Sequence, residues 1–451
     1  MRRRNRVLVA AVLAAVSCFI APGCGKPFWK RHLGPRPNVL LLSVDALRRD
    51  HLGTYGYAAA RTPAIDGLAA RGVVFEEAIA AATWTQPSIA AMLTGRWPAV
   101  LSASQKGETT QSLHAQERTL AEILKDRGYV TAGFVDNGTL APEFGYGQGF
   151  DFYVDVNADD GESITRPAID WLRANSNRRF FLWVHWLDPH EPYRKRDYPP
   201  YAPADDPRRA AADVMDLPFF FNENVRRDLT AHYDNEIAFT DRCVALVLAE
   251  LDRLGLREKT LVVFTSDHGE AMGETETAAP RFGHGGPPYE DQVRIPLIVS
   301  WPGVVPEGKR VGGQRSNVDI APTICALARA KTPGDASGRS LVDALLGNEA
   351  PGEDMTFSQS FQALEATKDA IQFAARTQRH KLFMRVDLAV PEQFARDPAT
   401  GRYEYVLRSK VPEAEFARLE KALKDYVKLW ASGPTHVSDE LREKLKAMGY
   451  I

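Results

Sequence analysis

Five side chains in this 451-residue sequence stand where acidic, basic and nucleophilic chemistry could meet: Asp45, Thr85, the neighbours Asp267 and His268, and His190. Asp45 ends the apolar run N-V-L-L-L-S-V, Asp267-His268 end the run from Thr260 to Ser266, and the His185 to His190 segment ends a third run from Phe180. Continuous apolar runs of this length are strands of a parallel sheet covered on both faces, and such sheets bind ligands outside the carboxyl ends of their strands. Two carboxylates and an imidazole gathered at one edge would repel each other or waste their desolvation unless a cation joined them. A metal held by Asp45, Asp267 and His268, with Thr85 as fourth ligand, is therefore the economical arrangement. A divalent cation lowers the pKa of bound water from about 15.7 to about 7, and a coordinated threonine hydroxyl gains in the same way, which turns an inert alcohol into a nucleophile. A histidine must then protonate the departing alcohol. His190 in D-P-H-E-P-Y is the first choice and His284 in F-G-H-G-G the second.

The stretch T-W-T-Q-P-S-I-A-A-M-L-T-G-R-W-P from Thr83 delivers Thr85 to a helix start. Pro87 suits the first turn and Gly95 a left-handed stop. A hydroxyl there faces unpaired N–H groups and the positive end of the helix dipole. The plain alternative is that Thr85 merely caps the helix. Plain readings also suit Asn137, in the turn sequence D-N-G, and His185 as a core histidine, while Asp50-His51 would fix the turn into the first helix. Asp188, His190 and His284 could hold a second metal only with an unusual spacing. Ser88 lacks a G-x-S-x-G elbow, and neither a P-loop nor an H-E-x-x-H helix occurs.

The positioning elements alternate. A helix from Thr62-Pro63 to Gly72 precedes a strand from Val73 to Ala80. Helices over 117–126 and 164–175 alternate with strands over 129–135 and 180–185. A long helix over 225–254 leads to the strand over 260–266, a strand over 295–301 closes the parallel set, and a helix over 320–328 ends it. The segment 199–223 reads as a long loop that could wall a cleft. Beyond Gly352 the pattern becomes antiparallel strands over 355–361, 370–376, 381–388 and 403–408, then helices over 412–431 and 438–448. The expected fold is α/β, a mostly parallel sheet flanked by helices, with a catalytic domain over 38–350 and a smaller α+β subdomain over 351–451.

With 44% hydrophobic and 25% charged residues the composition is that of an ordinary globular protein. The first 24 residues differ. Arg2, Arg3, Arg4 and Arg6 precede an apolar run from Val7 to Ala21 too short to span a bilayer comfortably, the pattern of an export signal. Ala21-Pro22-Gly23-Cys24 is similar to a bacterial lipoprotein cleavage box without the usual Leu, so the expectation is a periplasmic or outer-membrane protein with membrane attachment through Cys24; an uncleaved anchor is the alternative. Residues 25–37 form a tether. Removing the four arginines moves the net charge from −2 to −6, which argues against nucleic acid as a partner. Cys243 and Cys325 read as small buried residues.

The order of motifs resembles the sulfatase branch of the alkaline phosphatase superfamily over nearly all of residues 38–451. It is carried by P-N-V-L-L-L-S-V-D-A-L-R-R-D-H-L-G from Pro37, T-P-A-I-D-G-L-A from Thr62, Q-P-S-I-A-A-M-L-T-G from Gln86, L-D-P-H-E-P-Y from Leu187, S-D-H-G-E from Ser266 and the C-terminal L-K-A-M-G-Y. The resemblance implies one divalent metal (Ca, Mn, Zn or Mg) and hydrolysis of a sulfate or phosphate ester on a small molecule, glycan or lipid. This sequence also departs from the family. Where sulfatases carry a Cys or Ser that becomes formylglycine stands Thr85, the Arg position is Ile89, the second Asp is Ala46, the Lys and His of G-K-W-H-L-G have no counterpart, and His268 and His284 stand in the places of Asn and Lys. These changes point to phosphorus esters and a Thr nucleophile, as in phosphodiesterase and phosphonate-hydrolase relatives. Phosphoglycerol- or phosphoethanolamine-type transfer and a catalytically degenerate binding scaffold are the competing readings.

Overall fold

The computed structural model describes residues 35–104, 112–156, 160–193, 223–274, 282–347, 355–361, 371–385, 392–396 and 403–432, with Glu443 and Lys446. The export signal with Cys24, most of the tether, the loop expected over 199–223 up to residue 222, and the helix expected over 438–448 apart from those two residues lie outside the described residues. Pro37–Ile451 make one compact unit.

The chain runs β1 (Asn38–Val44), α1 (Pro63–Ala70), β2 (Val73–Ile79), α2 (Thr85–Thr94), α3 (Leu120–Lys125), β3 (Val130–Val135) and β4 (Phe152–Asp155). It continues through α4 (Glu162–Ala174), β5 (Phe180–Trp186), α5 (Glu223–Arg253), β6 (Thr260–Ser266), β7 (Ala271–Met272) and β8 (Phe282–Gly283). Then come α6 (Glu290–Val293), β9 (Arg294–Ile295), β10 (Leu297–Ser300), β11 (Lys309–Ser316), α7 (Ile320–Leu327) and α8 (Val342–Leu346). The last quarter supplies β12 (Thr356–Phe361), β13 (Ile371–Arg376), β14 (His380–Arg385), β15 (Glu392–Arg396), β16 (Tyr403–Tyr405) and α9 (Glu413–Ser432).

The large sheet has the order β11-β2-β10-β6-β1-β5-β3-β4, with β9 beside β2. Every residue of β1, β5 and β6 is buried, as expected of unbroken Val, Leu and Phe runs between two helical layers. β1 pairs in parallel with β5 on one side and β6 on the other, so Val44, Trp186 and Ser266 end level with one another and project the next residues over one edge. Leu40, Leu42 and Val44 enter the same core as Leu172 of α4 and Val247 and Leu251 of α5. Burying each such side chain contributes about 1.5–3 kcal/mol.

One expected direction is corrected. The segment over 295–301 does not extend the parallel set: β10 is antiparallel to both β6 and β2. A run buried on both faces carries no periodic mark of its direction, so its composition could not distinguish the two arrangements. β4, β11 and β15, too polar or too short for a periodic signal, are elements that the pattern reading lacked. In the second sheet, order β12-β13-β14-β15-β16, all neighbours are antiparallel, and α9 packs Leu419, Leu423, Tyr426 and Trp430 against Phe373 and Leu382. This sheet is joined to the first: Gln359 N–H donates to Ala81 C=O, Thr83 N–H donates to Gln359 C=O, and Ser358 Oγ donates to Ala80 C=O at 2.6 Å. β12 therefore fixes the backbone just ahead of Thr85.

Candidate active site

Thr85 is the first residue of α2, one place past Trp84, the residue at the cap. No side chain caps this helix, so the Thr85 hydroxyl is free of the capping duty that would have been its plain explanation. Apart from Gln86 the helix is buried along its length, and it stops at Gly95, whose φ of 71° is the left-handed stop expected of it. A Cβ at Gly95 would also lie 2.9 Å from Pro322. From behind, Ser88 Oγ donates to Asp267 C=O at 2.6 Å, and Asn317 Nδ2 donates to Ser88 Oγ at 2.8 Å. Ser88 is thus a brace between the helix and the strand end that carries Asp267.

Asp45, Asp267 and His268 meet, fully buried, with one ligand atom of each within 4.8 Å of the others. Asp45 Oδ2 is crowded with donors: Asn137 Nδ2 at 2.7 Å, Thr85 Oγ1 at 3.4 Å and His185 Nε2 at 3.4 Å. Asp267 Oδ1 accepts the N–H of His268 at 2.8 Å and of Ala46 at 3.2 Å. The other oxygens, Asp45 Oδ1 and Asp267 Oδ2, have no hydrogen-bond partner, and each lies 3.3–3.4 Å from His268 Nε2. His268 Nδ1 donates to Gly269 C=O at 2.9 Å, which leaves the Nε2 lone pair facing the same space. Thr85 Oγ1 is 3.3 Å from that nitrogen.

Two orphaned buried carboxylate oxygens, an imidazole lone pair and a hydroxyl converging on one point are the donor set of a divalent cation, and without one the cluster is electrostatically unbalanced. The titration tendencies express that imbalance. Burial and the charge of Asp45 push the Asp267 carboxyl well above the usual range. Burial would raise Asp45 too, but the hydrogen bond from His185 and the nearby His190 and His268 hold it well below that range. Burial and the neighbouring His284 hold His268 down at about 3, so its ring is neutral at pH 7, the form in which it can ligate a metal.

The two histidines chosen for proton transfer stand beside this cluster. The His284 ring stacks on His268 with centroids 4.6 Å apart, and the His190 ring meets His284 edge-on at 4.4 Å. His284 Nδ1 lies 3.3 Å from Glu270 Oε1, and burial lowers the pKa of the ring. His190 Nδ1 donates to Glu191 C=O, leaving Nε2 as the nitrogen that exchanges protons. The His284 loop is tied to the approach to Thr85, because Gly285 N–H donates to Thr83 C=O at 2.7 Å and Thr83 Oγ1 donates to Gly286 C=O at 2.9 Å.

Two of the plainer readings change, and the second-metal reading of Asp188 gains no support. Asn137 is a turn residue, its Oδ1 accepting Thr139 N–H at 2.9 Å, yet its amide also binds Asp45. His185 is fully buried, and it is also part of a relay in which Trp183 donates to Ser43 Oγ at 2.8 Å, Ser43 meets His185 Nδ1 at 2.9 Å and Nε2 faces Asp45. Asp188 Oδ2 accepts Gly161 N–H at 3.0 Å. It joins no metal-binding group among the described residues, where Asp45, Asp267 and His268 are the one such cluster. Glu270, the last residue of S-D-H-G-E, had no role in the sequence pattern, yet it is fully buried, its Oε2 has no partner, and burial together with Glu191 raises its carboxyl well above the usual range. Asp50 and His51 keep their structural role, with Asp50 pairing Arg48 at 2.9 Å and His51 Nδ1 2.7 Å from Asp234. Cys243 and Cys325 are buried free thiols.

Residues 37–330 match the family model described as Sulfatase, and residues 287–404 match that of the N-sulphoglucosamine sulphohydrolase C-terminal region. The chain belongs to the sulfatase family. Steryl-sulfatase of Rattus norvegicus is 29% identical over 412 residues, which cover 70% of this chain and 71% of that protein. Arylsulfatase A of Homo sapiens is 29% identical over 417 residues, 80% of this chain and 78% of the relative. Among solved structures, the phosphonate monoester hydrolase of Agrobacterium radiobacter superposes with a TM-score of 0.71 at 23% identity, over 88% of this chain and 96% of that one. This sulfatase-family protein is a hydrolase, with the family's mixed sheet and small C-terminal sheet.

Proposed function

We propose that this sulfatase-family hydrolase uses Thr85 itself as nucleophile and acts on phosphate or phosphonate esters in preference to sulfate esters. The observation that carries the reading is the Thr85 hydroxyl, uncommitted to capping, 3.3 Å from His268 Nε2 and 3.4 Å from Asp45 Oδ2. A threonine cannot become formylglycine, so any covalent intermediate here forms on an ordinary alcohol. The preference for phosphorus rests on that residue, on His268 and His284 in place of the Asn and Lys of sulfatases, and on Ile89 in place of Arg.

A divalent cation held by Asp45, Asp267 and His268, with Thr85 as fourth ligand, would supply Lewis-acid charge for the developing negative charge. The other tasks belong to the chain. Asp45 Oδ2 accepts the Thr85 hydroxyl hydrogen and so aims Oγ1. Oγ1 gives its proton to solvent before the substrate reacts, and attack by the resulting alkoxide forms a bond to phosphorus as the bond to the ester oxygen breaks in line. Protonated His190 gives its Nε2 proton to the departing alcohol and, now neutral, takes one from the water that cleaves the Thr85 ester. His284, edge-on to His190 and stacked on His268, is the second candidate for the proton transfer. Export directed by residues 1–24, with Cys24 as a lipid-attachment point, belongs to the same proposal and is checked by the mass of the mature protein.

The test is turnover by purified protein lacking residues 1–24, loaded with Mn or Zn, on matched aryl sulfate, phosphate monoester, phosphodiester and phosphonate monoester substrates. Phosphorus-ester cleavage that disappears in Thr85→Ala supports the proposal. Cleavage of sulfate alone would overturn the preference, and activity retained by Thr85→Ala would overturn the nucleophile.

A further inference from the structure

Ala46 follows the ligand Asp45 and has a φ of 55°; with Arg329 it is one of two non-glycine residues in the left-handed region among the described residues. That conformation is unfavourable for an L-residue and persists only where neighbours enforce it. Its peptide groups are both used. Ala46 N–H donates to Asp267 Oδ1 at 3.2 Å, and Ala46 C=O accepts the hydroxyl of Tyr233 at 2.7 Å. The same hydroxyl accepts Arg48 N–H at 2.8 Å, so one oxygen closes the turn 46–48. Leu47 N–H, between them, donates to Ser266 Oγ at 3.1 Å. Tyr233 sits fully buried in α5, with His51 edge-on at 5.0 Å and Tyr193 at 5.7 Å, and it touches none of the cluster's side chains.

The consequence concerns which oxygen of Asp267 is free. With Ala46 N–H and His268 N–H both on Oδ1, the carboxylate is rotated so that Oδ2 alone is unpartnered and faces His268 Nε2. We infer that Tyr233 is a positioning residue for the cation site: its hydroxyl holds Ala46 in the left-handed turn whose N–H orients Asp267, and so presets Oδ2 for the metal. The inference rests on the reading of Asp45, Asp267 and His268 as a cation site. In this chain the residue after Asp45 is an alanine with no side-chain ligand to offer, so its backbone is what it contributes.

Outer groups that orient metal ligands typically change affinity 10- to 100-fold when removed. The experiment titrates metal-free protein with Mn2+ or Zn2+ alone, by calorimetry or equilibrium dialysis, in wild type, Tyr233→Phe and Tyr57→Phe. Tyr57 is the control because its hydroxyl donates to Asp234 Oδ2 at 2.6 Å and not to the turn. The expected result is cation affinity at least about 10-fold weaker in Tyr233→Phe and unchanged in Tyr57→Phe. If Tyr233→Phe unfolds without metal, the rise in its Tm on adding saturating cation replaces the titration, and a rise smaller than in wild type is expected. Wild-type affinity, or a wild-type rise in Tm, in Tyr233→Phe would overturn the positioning role and leave the cation site standing. Failure of the wild type to bind either ion would overturn both.

Discussion

Two of the buried charged clusters among the described residues are built on opposite terms. At the seam between the sheets, Glu290 accepts from Arg376 Nη1 and Nη2 at 3.1 and 3.0 Å and from Lys381 Nζ at 3.2 Å, while Lys381 also lies 5.0 Å from the Phe394 ring centre. Both carboxylate oxygens are engaged, and Arg376 and Lys381 pull the Glu290 carboxyl below its ordinary range against the effect of burial. At the carboxyl edge of the large sheet, Asp45 and Asp267 each keep one oxygen without a partner, and the only ring between those oxygens is neutral. A buried charge that is fully paired serves the fold; one deliberately left short of a counter-charge is kept for something that binds.

The comparison can be broken in four ways. Thr85→Ala should lower turnover on the order of 10³-fold or more while leaving cation stoichiometry at one, read by steady-state kinetics beside metal analysis. An unchanged rate would remove the edge cluster's claim to chemistry. Glu290→Gln should cost about 3–5 kcal/mol in urea unfolding with and without metal, because Arg376 and Lys381 lose their counter-charge. A loss that appears only with metal present would mean that the seam is not merely structural.

A third case sharpens the rule. Asp241 of α5 accepts the N–H groups of Ala64 and Ile65 at the start of α1, but burial still pushes its carboxyl up from 3.8 to about 6. The folded protein then holds this proton where the unfolded chain has lost it. Its contribution is therefore greatest at acid pH and fades as pH rises from about 4 to about 6, by at most about 3 kcal/mol. Urea unfolding at pH 4.5 and 7 should show this decline in wild type and a smaller one in Asp241→Asn; equal slopes would mean that backbone N–H groups alone satisfy the charge. The smallest expected effect is a gain. In metal-free protein Asp267→Asn removes one of two facing carboxylates and should stabilise the fold by about 1 kcal/mol while abolishing the rise in Tm that cation brings. A destabilised metal-free variant would show that the cluster is not short of positive charge.

Much of the edge cluster was legible because strand ends are. Asp45 and Asp267-His268 each follow an unbroken apolar run, and chain physics places such ends together. What remained hidden depends on register and rotation. Ser43 and His185 stand opposite each other in adjacent strands, a pairing that no local pattern encodes, so the route from Trp183 through His185 to Asp45 was out of reach. The amide of Asn137 has two jobs, and the turn sequence D-N-G announces only one. Tyr233 and Ala46 are 187 residues apart and neither residue type is unusual in its segment. The direction of β10 was unreadable for a related reason, since a doubly covered strand has the same composition whichever way it runs.

The bridge from β12 to the segment before Thr85 also bears on how the protein is made. Ser358 and Ala80 are 278 residues apart, and the backbone groups of Ala81 and Thr83 depend on the same strand. On the ribosome, α2 and its threonine emerge early, but the partner that immobilises their approach arrives only with the last quarter of the chain. The Thr85 hydroxyl is thus synthesised well before the strand that sets its approach in place. A nascent or prematurely ended chain carries Thr85 without the strand that fixes the backbone ahead of it.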